Sequence, residues 1–433
     1  MSNQNIEFKD SQIAWIGQIP KHWEITKNKY ILNGVYSGGT PTSGTPEFYT
    51  DEDNGIPFVS IGDMSKKEFI ESTKTKVTKL GIRDKNLKIL TKNTILYSIY
   101  ATIGKVAELK CNATISQALL ALFVKNSYDK QFYKYNLKAM KDYIFFQSNG
   151  NTQFNLNANK VINFHFLLPP LNEQEKIANF LDNKCEKIDN TIKNLEQKIS
   201  NLKEYKKSLI SECVTKGLNP KNMEFKDSQI AWIGQIPKHW EISKIKYHGT
   251  ARNGLTYSPS DLTDESGILV LRSSNVQDSK LVFNDNVYVS CSVKNNLMVK
   301  NNDILICSRN GSRNLIGKNA LIDRDVKATF GAFMLIYRSK ISKFMFYVLN
   351  SNIFSYHLSN FVTSTINQLT NSNFENIKFP LPPLNEQKEI AEFLDKKCEK
   401  IDRLNENYTK QITTLKEYKK SLIYECVTGK KEI

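Results

Sequence analysis

The chain is poor in the residues, and lacks the spacings, that carry common active-site chemistry. It holds five histidines and seven cysteines in 433 residues. No cysteines stand as C-x-x-C, and an odd count argues against a disulfide framework. Cys185, Cys213, Cys398 and Cys426 are two positions copied by a repeat, which fits reduced thiols in a cytoplasmic protein. Neither H-E-x-x-H nor a Cys/His zinc spacing occurs, so no metal site is expected. The P-loop pattern G-x-x-x-x-G-K-[ST] and the dinucleotide pattern G-x-G-x-x-G are both absent. Pro169–Pro170 and Pro382–Pro383 are each followed by leucine, unlike the Asn/Asp-Pro-Pro-aromatic motif of amino-methyltransferases. No apolar run reaches the roughly 18–20 residues of a membrane span, and the polar opening MSNQNIEFKD has no signal-peptide core. No paired carboxylates stand out as a nuclease site. The expectation is recognition machinery without catalytic residues.

What the chain does have is an internal repeat. Residues 7–25, EFKDSQIAWIGQIPKHWEI, recur unchanged as 224–242. LPPLNEQEKIANFLDNKCEKID (168–189) returns as LPPLNEQKEIAEFLDKKCEKID (381–402), and LKEYKKSLISECVT (202–215) as LKEYKKSLIYECVT (415–428). Residues 26–167 and 243–380, between these blocks, differ. Repeats decide architecture, and this one divides the chain into 1–168, a first recognition module with its clasp at 7–25; 169–216, a helical spacer; 217–381, a second module with the clasp repeated at 224–242; and 382–433, a second spacer.

Charge follows the same division. The net charge is +16, of which residues 26–168 carry +8 (19 basic, 11 acidic) and 243–381 carry +7 (16 basic, 9 acidic). The repeated frame is nearly neutral. A basic excess confined to two modules points to two polyanion-binding faces.

Each Pro-Pro-Leu-Asn-Glu-Gln block reads as a helix start, with Asn172 and Asn385 as candidate N-caps. Glu175 could complete a capping box that Lys388 denies the second copy. Heptad rows follow. Leu181, Ile188, Leu195, Leu202 and Leu209 alternate with Cys185, Ile192, Ile199, Lys206 and Cys213. In the second copy Leu394, Ile401, Tyr408, Leu415 and Leu422 alternate with Cys398, Asn405, Ile412, Lys419 and Cys426. Such steps of three and four are the coiled-coil signature. They predict two long helices, each the other's partner, with Asn405 fixing register and the stems of Lys206 and Lys419 snorkelling outward. The WIGQIPKHW stretch reads as an apolar clasp, with His22 and His239 packed or capping rather than catalytic.

Both inserts read as strand-rich α/β modules with their elements in the same order. Segments 55–64, 93–109 and 115–124 match 267–276, 302–322 and 330–338, and each set precedes a helix (132–147, 342–361) and a polar loop. The loops carry side chains suited to base edges, because Arg pairs with guanine and Asn or Gln with adenine. In the second insert these are Arg272, Ser273, Ser274 and Asn275, then Arg309, Asn310, Ser312, Arg313 and Asn314, then Asn367 and Gln368. In the first they are Tyr97, Ser98, Tyr100, Thr102 and Lys105, then Asn151, Thr152, Gln153 and Asn155. Lys66, Lys67, Lys74, Lys76 and Arg83 belong to a basic run suited to phosphates.

The whole layout resembles the specificity subunit of Type I restriction–modification enzymes. The marks are WIGQIPKHWE, SGGTPTS followed by IPFVSIGDM (37–43, 56–64), IGK at 103–105 and 316–318, and the twin PPLNEQ blocks. The second insert departs by reading NGLTYSPSD (253–261) where the first has Gly-Gly-Thr-Pro. The resemblance implies an α/β fold with two target-recognition domains joined by two long helices in an antiparallel coiled coil. It implies a bipartite, asymmetric DNA site with a non-specific spacer. It also implies docking of two modification subunits that use S-adenosylmethionine to methylate adenine, and of restriction subunits that use ATP and Mg to translocate and cleave DNA. None of these cofactors is expected on this chain. Two other readings stay open at this point: a recognition subunit of another methyltransferase–nuclease or methylation-only system, and a coiled-coil scaffold for proteins.

Overall fold

The computed structural model describes residues 7–65, 68–146, 156–361 and 368–433. Two units emerge from its packing, 1–194 with 411–433, and 195–410. Each unit therefore holds one clasp, one insert, and part of both long helices.

Within each unit the insert builds two main sheets whose first four strands follow the same order; the first unit adds a fifth strand to one sheet, and the second has a separate pair, Val276–Gln277 with Lys280–Leu281. In the first unit one sheet runs Leu32–Ser37, Leu119–Val124, Ile95–Ser98, Val106–Leu109, Phe69–Ile70. The other runs Thr114–Ile115, Ile56–Val59, Thr75–Val77, Tyr49–Thr50. In the second unit the counterparts are Gly249–Asn253, Met334–Ser339, Ile304–Cys307, Asn319–Leu321, and Ala328–Phe330, Ile268–Leu271, Tyr288–Val289, Leu262–Thr263. Sequences with little in common thus reach one topology, because both carry short apolar strands at matching places. The central strands Ile95–Ser98 and Ile304–Cys307 are buried along their whole length, as expected of strands covered on both faces.

A helix then leads each insert back to the frame. In the first unit it is Lys130–Phe146. In the second the stretch is broken into Ser342–Leu349 and Asn352–Phe361. A tyrosine on each anchors it to a long helix: Tyr135 Oη donates to Asp182 at 2.7 Å, and Tyr347 Oη to Asp395 at 2.6 Å. Asp182 and Asp395 are equivalent positions of the repeat.

The long helices span Leu171–Lys216 and Leu384–Val427, the longer being roughly 70 Å at 1.5 Å per residue. They start one residue before the expected caps. Pro170 O accepts from Glu173 N and Gln174 N, and Pro383 O from Gln387 N. Asn172 and Asn385 therefore lie inside the first turn. Asn172 Oδ1 still accepts from Glu173 N at 3.0 Å, and Gln174 and Gln387 each donate the side-chain amide to the first proline's carbonyl, Pro169 O at 2.8 Å and Pro382 O at 2.7 Å. Glu173 and Glu386 then receive the clasps. Trp23 Nε1 donates to Glu173 and Trp240 Nε1 to Glu386, both at 2.9 Å, while His22 and His239 contact the same carboxylates. A carboxylate in the first turn also suits the helix dipole.

The heptad rows face inward. Leu181, Ile188, Ile192, Leu195, Leu394, Ile401, Ile412 and Leu422 are buried, and Ile199, Leu202, Leu209, Asn405 and Leu415 are half-buried. The helices run antiparallel in each unit: Lys206 meets Asp402 while Lys198 lies over the Tyr408 ring, and Asp189 meets Lys419. These contacts correct the expectation for the two row-breaking lysines. Lys206 Nζ reaches Asp402 at 2.6 Å and Lys419 Nζ reaches Asp189 at 2.7 Å. Water is not their target, because a carboxylate on the partner helix stands within reach of the stem. By the repeat, Asp189 corresponds to Asp402 and Lys206 to Lys419, so the two ion pairs are one contact made twice.

Candidate nucleic-acid interface

In both inserts the loop after the buried central strand is built alike. Ser98 closes the first: its hydroxyl donates to Thr102 O and accepts from Lys105 N at 2.9 Å. Gly104 turns the chain at φ +80°, and Gly317 does so in the second loop at φ +81°. That left-handed backbone favours glycine. The lysine of each IGK triplet then ties its loop to a neighbouring segment, Lys105 Nζ to Ser65 O and Lys318 Nζ to Val276 O. Burial and the nearby charge of Lys141 lower the pKa of Lys105. The IGK mark therefore fixes the loop's shape, and the Lys105 ammonium is already held by backbone.

The second insert brings its predicted residues together. Asn310 Nδ2 donates to Ser273 Oγ at 3.2 Å, joining loop 272–275 to loop 309–314, and Arg309 bridges backbone-to-backbone with Gln368. Arg309, Ser312, Arg313 and Asn314 are exposed, while Ser273 and Ser274 are half-buried. Arg272 donates to Asp285 through its side chain at 2.9 Å, so its fork is partly engaged. In the first insert Tyr100 and Thr102 stand exposed at the loop tip, and Lys74 and Arg83 are exposed on the sheet side. Lys76 is half-buried and donates to Glu52 O at 3.0 Å.

Three predicted contacts need correction. Tyr97 and Ser98 are 0% exposed, and Asn275 is 0% exposed. Tyr97 and Ser98 belong to the central strand, and the Tyr97 ring packs edge-on against Phe164 at 6.4 Å. Asn275 spends its amide on Val282 O and Asn286. None of the three faces a ligand. Lys66, Lys67, Asn151, Thr152, Gln153, Asn155 and Asn367 lie outside the described residues.

Sequence reading missed Phe333, 60% exposed beside Arg309, whose guanidinium carbon lies 5.3 Å from the ring centroid. It also missed a cleft of about 870 Å³ in the first unit, walled by Trp15, Tyr143, Tyr424, Lys141 and Lys416. Among the described residues no group of three or more His, Cys, Asp or Glu is placed to hold a metal, and no helix is long and apolar enough to cross a membrane.

Two strand-rich modules on one repeated helical frame match a known pattern. A family model described as the Type I restriction modification DNA specificity domain matches twice, over residues 20–204 and 237–414. The chain belongs to the Type I restriction–modification specificity-subunit family. It is 29% identical to the MjaVIII specificity subunit of Methanocaldococcus jannaschii over 423 residues, which is 95% of this chain and 94% of the relative. It is 27% identical to the EcoKI specificity subunit of Escherichia coli over 205 residues, 46% of this chain and 44% of the relative. A solved chain from work on assembly and conformational transition of the type I R-M system shares the fold, with a TM-score of 0.70 at 15% identity, covering 94% of this chain and 98% of that one. Members of the family are non-catalytic recognition components of a larger restriction–modification complex that acts on DNA. The expected α/β fold, with its internal repeat and paired long helices, is the one observed.

Proposed function

We propose that the chain reads a bipartite, asymmetric DNA site, one half-site per insert, with a non-specific spacer between them. The observation that carries this reading is that equivalent loops on a common frame present different side chains, Tyr100 and Thr102 in one insert and Arg309 to Asn314 in the other. Different readers imply different half-sites. The basic excess of both inserts supplies the phosphate attraction that positions them. The candidate base contacts are Tyr100, Thr102, Arg309, Asn310, Ser312, Arg313, Asn314 and Gln368, and Lys74 and Arg83 are candidate phosphate contacts.

The chain would then direct two modification subunits, which use S-adenosylmethionine, to adenine, and restriction subunits, which use ATP and Mg, to cleave. Methylating a base requires taking it out of the stack, so the readers would hold the duplex in register for that step. Affinity measured against salt tests the DNA-reading claim. Log affinity should fall with log salt at about −0.9 per phosphate contact, and target duplex should outcompete scrambled duplex. A flat salt response without sequence preference would favour a protein-binding scaffold.

A further inference from the structure

Phe333 is an exposed aromatic, 60% accessible, at the edge of the second insert's loop cluster. It lies in the turn between buried Phe330 and Met334, each 1% exposed. Its carbonyl accepts from Ser308 N at 3.0 Å, Arg309 N at 3.1 Å and Ser308 Oγ at 3.0 Å. Leu369 N donates to Ser308 O at 2.7 Å on the other side. The backbone that carries the ring is therefore tied to the neighbouring strand, and the Arg309 guanidinium lies over the ring at 5.3 Å. Among the described residues that guanidinium has no acidic partner.

The first insert builds the same tie differently. Ile99 N donates to Ala118 O at 2.9 Å, the counterpart of the Ser308–Phe333 bond, so Ala118 stands where Phe333 does. Tyr100, 40% exposed, stands where Arg309 does. Each insert thus presents one exposed ring at this point, Tyr100 from the end of the central strand and Phe333 from the start of its neighbour.

We propose that Phe333 and Arg309 form a stacking site for a nucleobase of the second half-site, a reading that rests on the DNA-recognition role proposed above. A ring and a guanidinium already in contact offer a π-face and a cation to a base plane. An apolar side chain set against a base step opens that step and so selects steps that open easily. Phe333 would contribute selectivity of this kind, and Arg309 would add hydrogen bonds to the base edge.

The test uses the full chain co-purified with its modification subunit, on a duplex of its mapped target and a scrambled duplex. Phe333→Ala should lower affinity for the target about 10-fold or more and relax the methylated motif within one half-site only. Affinity for scrambled duplex and its salt slope should not move, and Phe333→Trp should restore the target preference. Undiminished preference in Phe333→Ala, or equal loss in Phe333→Trp, would overturn the stacking site alone. Absence of preference in the unaltered complex would overturn the stacking site together with the DNA-recognition role.

Discussion

Single residues show where a sequence hides burial. Tyr97 and Ser98 read as loop residues because they are polar and precede a glycine turn, yet both lie in a strand with neighbours on two edges. Burial on both faces erases the alternation that would have flagged them. Asp303 is similar: its side chain is 1% exposed and takes two hydrogen bonds from Arg338, at 2.7 and 2.6 Å. Arg338→Met should destabilise the chain by about 3 kcal/mol, because it strands a buried carboxylate; adding Asp303→Leu should recover much of the loss in urea unfolding. Acid acts in a predictable direction elsewhere. Burial works to raise the pKa of Glu108, but hydrogen bonds and charge from Lys110 and Lys134 outweigh it and leave it below the usual glutamate value. Its folded-state pKa is below the unfolded one, so its stabilisation is present above the unfolded value and is lost as pH falls through the folded one.

At the scale of elements, the long helices were legible because their heptads are written twice. Their ends and their polar contacts were less so. Proline in front of Leu171 and Leu384 suggested a cap at the following asparagine, but the helices already begin at the leucines, and a glutamine in the first turn ties back to the proline carbonyl. Lys206 and Lys419 could be paired with Asp402 and Asp189 only once the register was known, since register is a property of two helices together. Lys206→Asp should cost about 2 kcal/mol. Lys419→Asp should cost less, because Asp189 is 56% exposed where Asp402 is 22% exposed. Restoring attraction with Asp402→Lys in the first variant should return part of the stability, measured as the urea midpoint, because Asp402 also holds Lys280 at 3.2 Å.

For the whole molecule, the repeat made the architecture readable and the divergence of the inserts made their shared topology hard to read. The order of strands and loops along both inserts was legible, but which side chains leave the surface depended on contacts such as Arg309 on Phe333 that no spacing encodes. If the helices set the distance between readers, one heptad added to both should lengthen the spacer by about 10 Å, or roughly three base pairs. Both half-sites should stay the same; an unchanged spacer would remove the helices from that role.

The central claim is that one chain carries two different readers for one split site. Modified-base mapping tests it most directly, using genomic DNA from a methylation-free host that expresses this chain with its modification subunit. The account predicts a split, asymmetric adenine-methylated motif that disappears without this chain, with one half-site replaced when residues 26–167 are exchanged for another member's insert. A continuous or palindromic motif, or a change in both half-sites on that exchange, would contradict it.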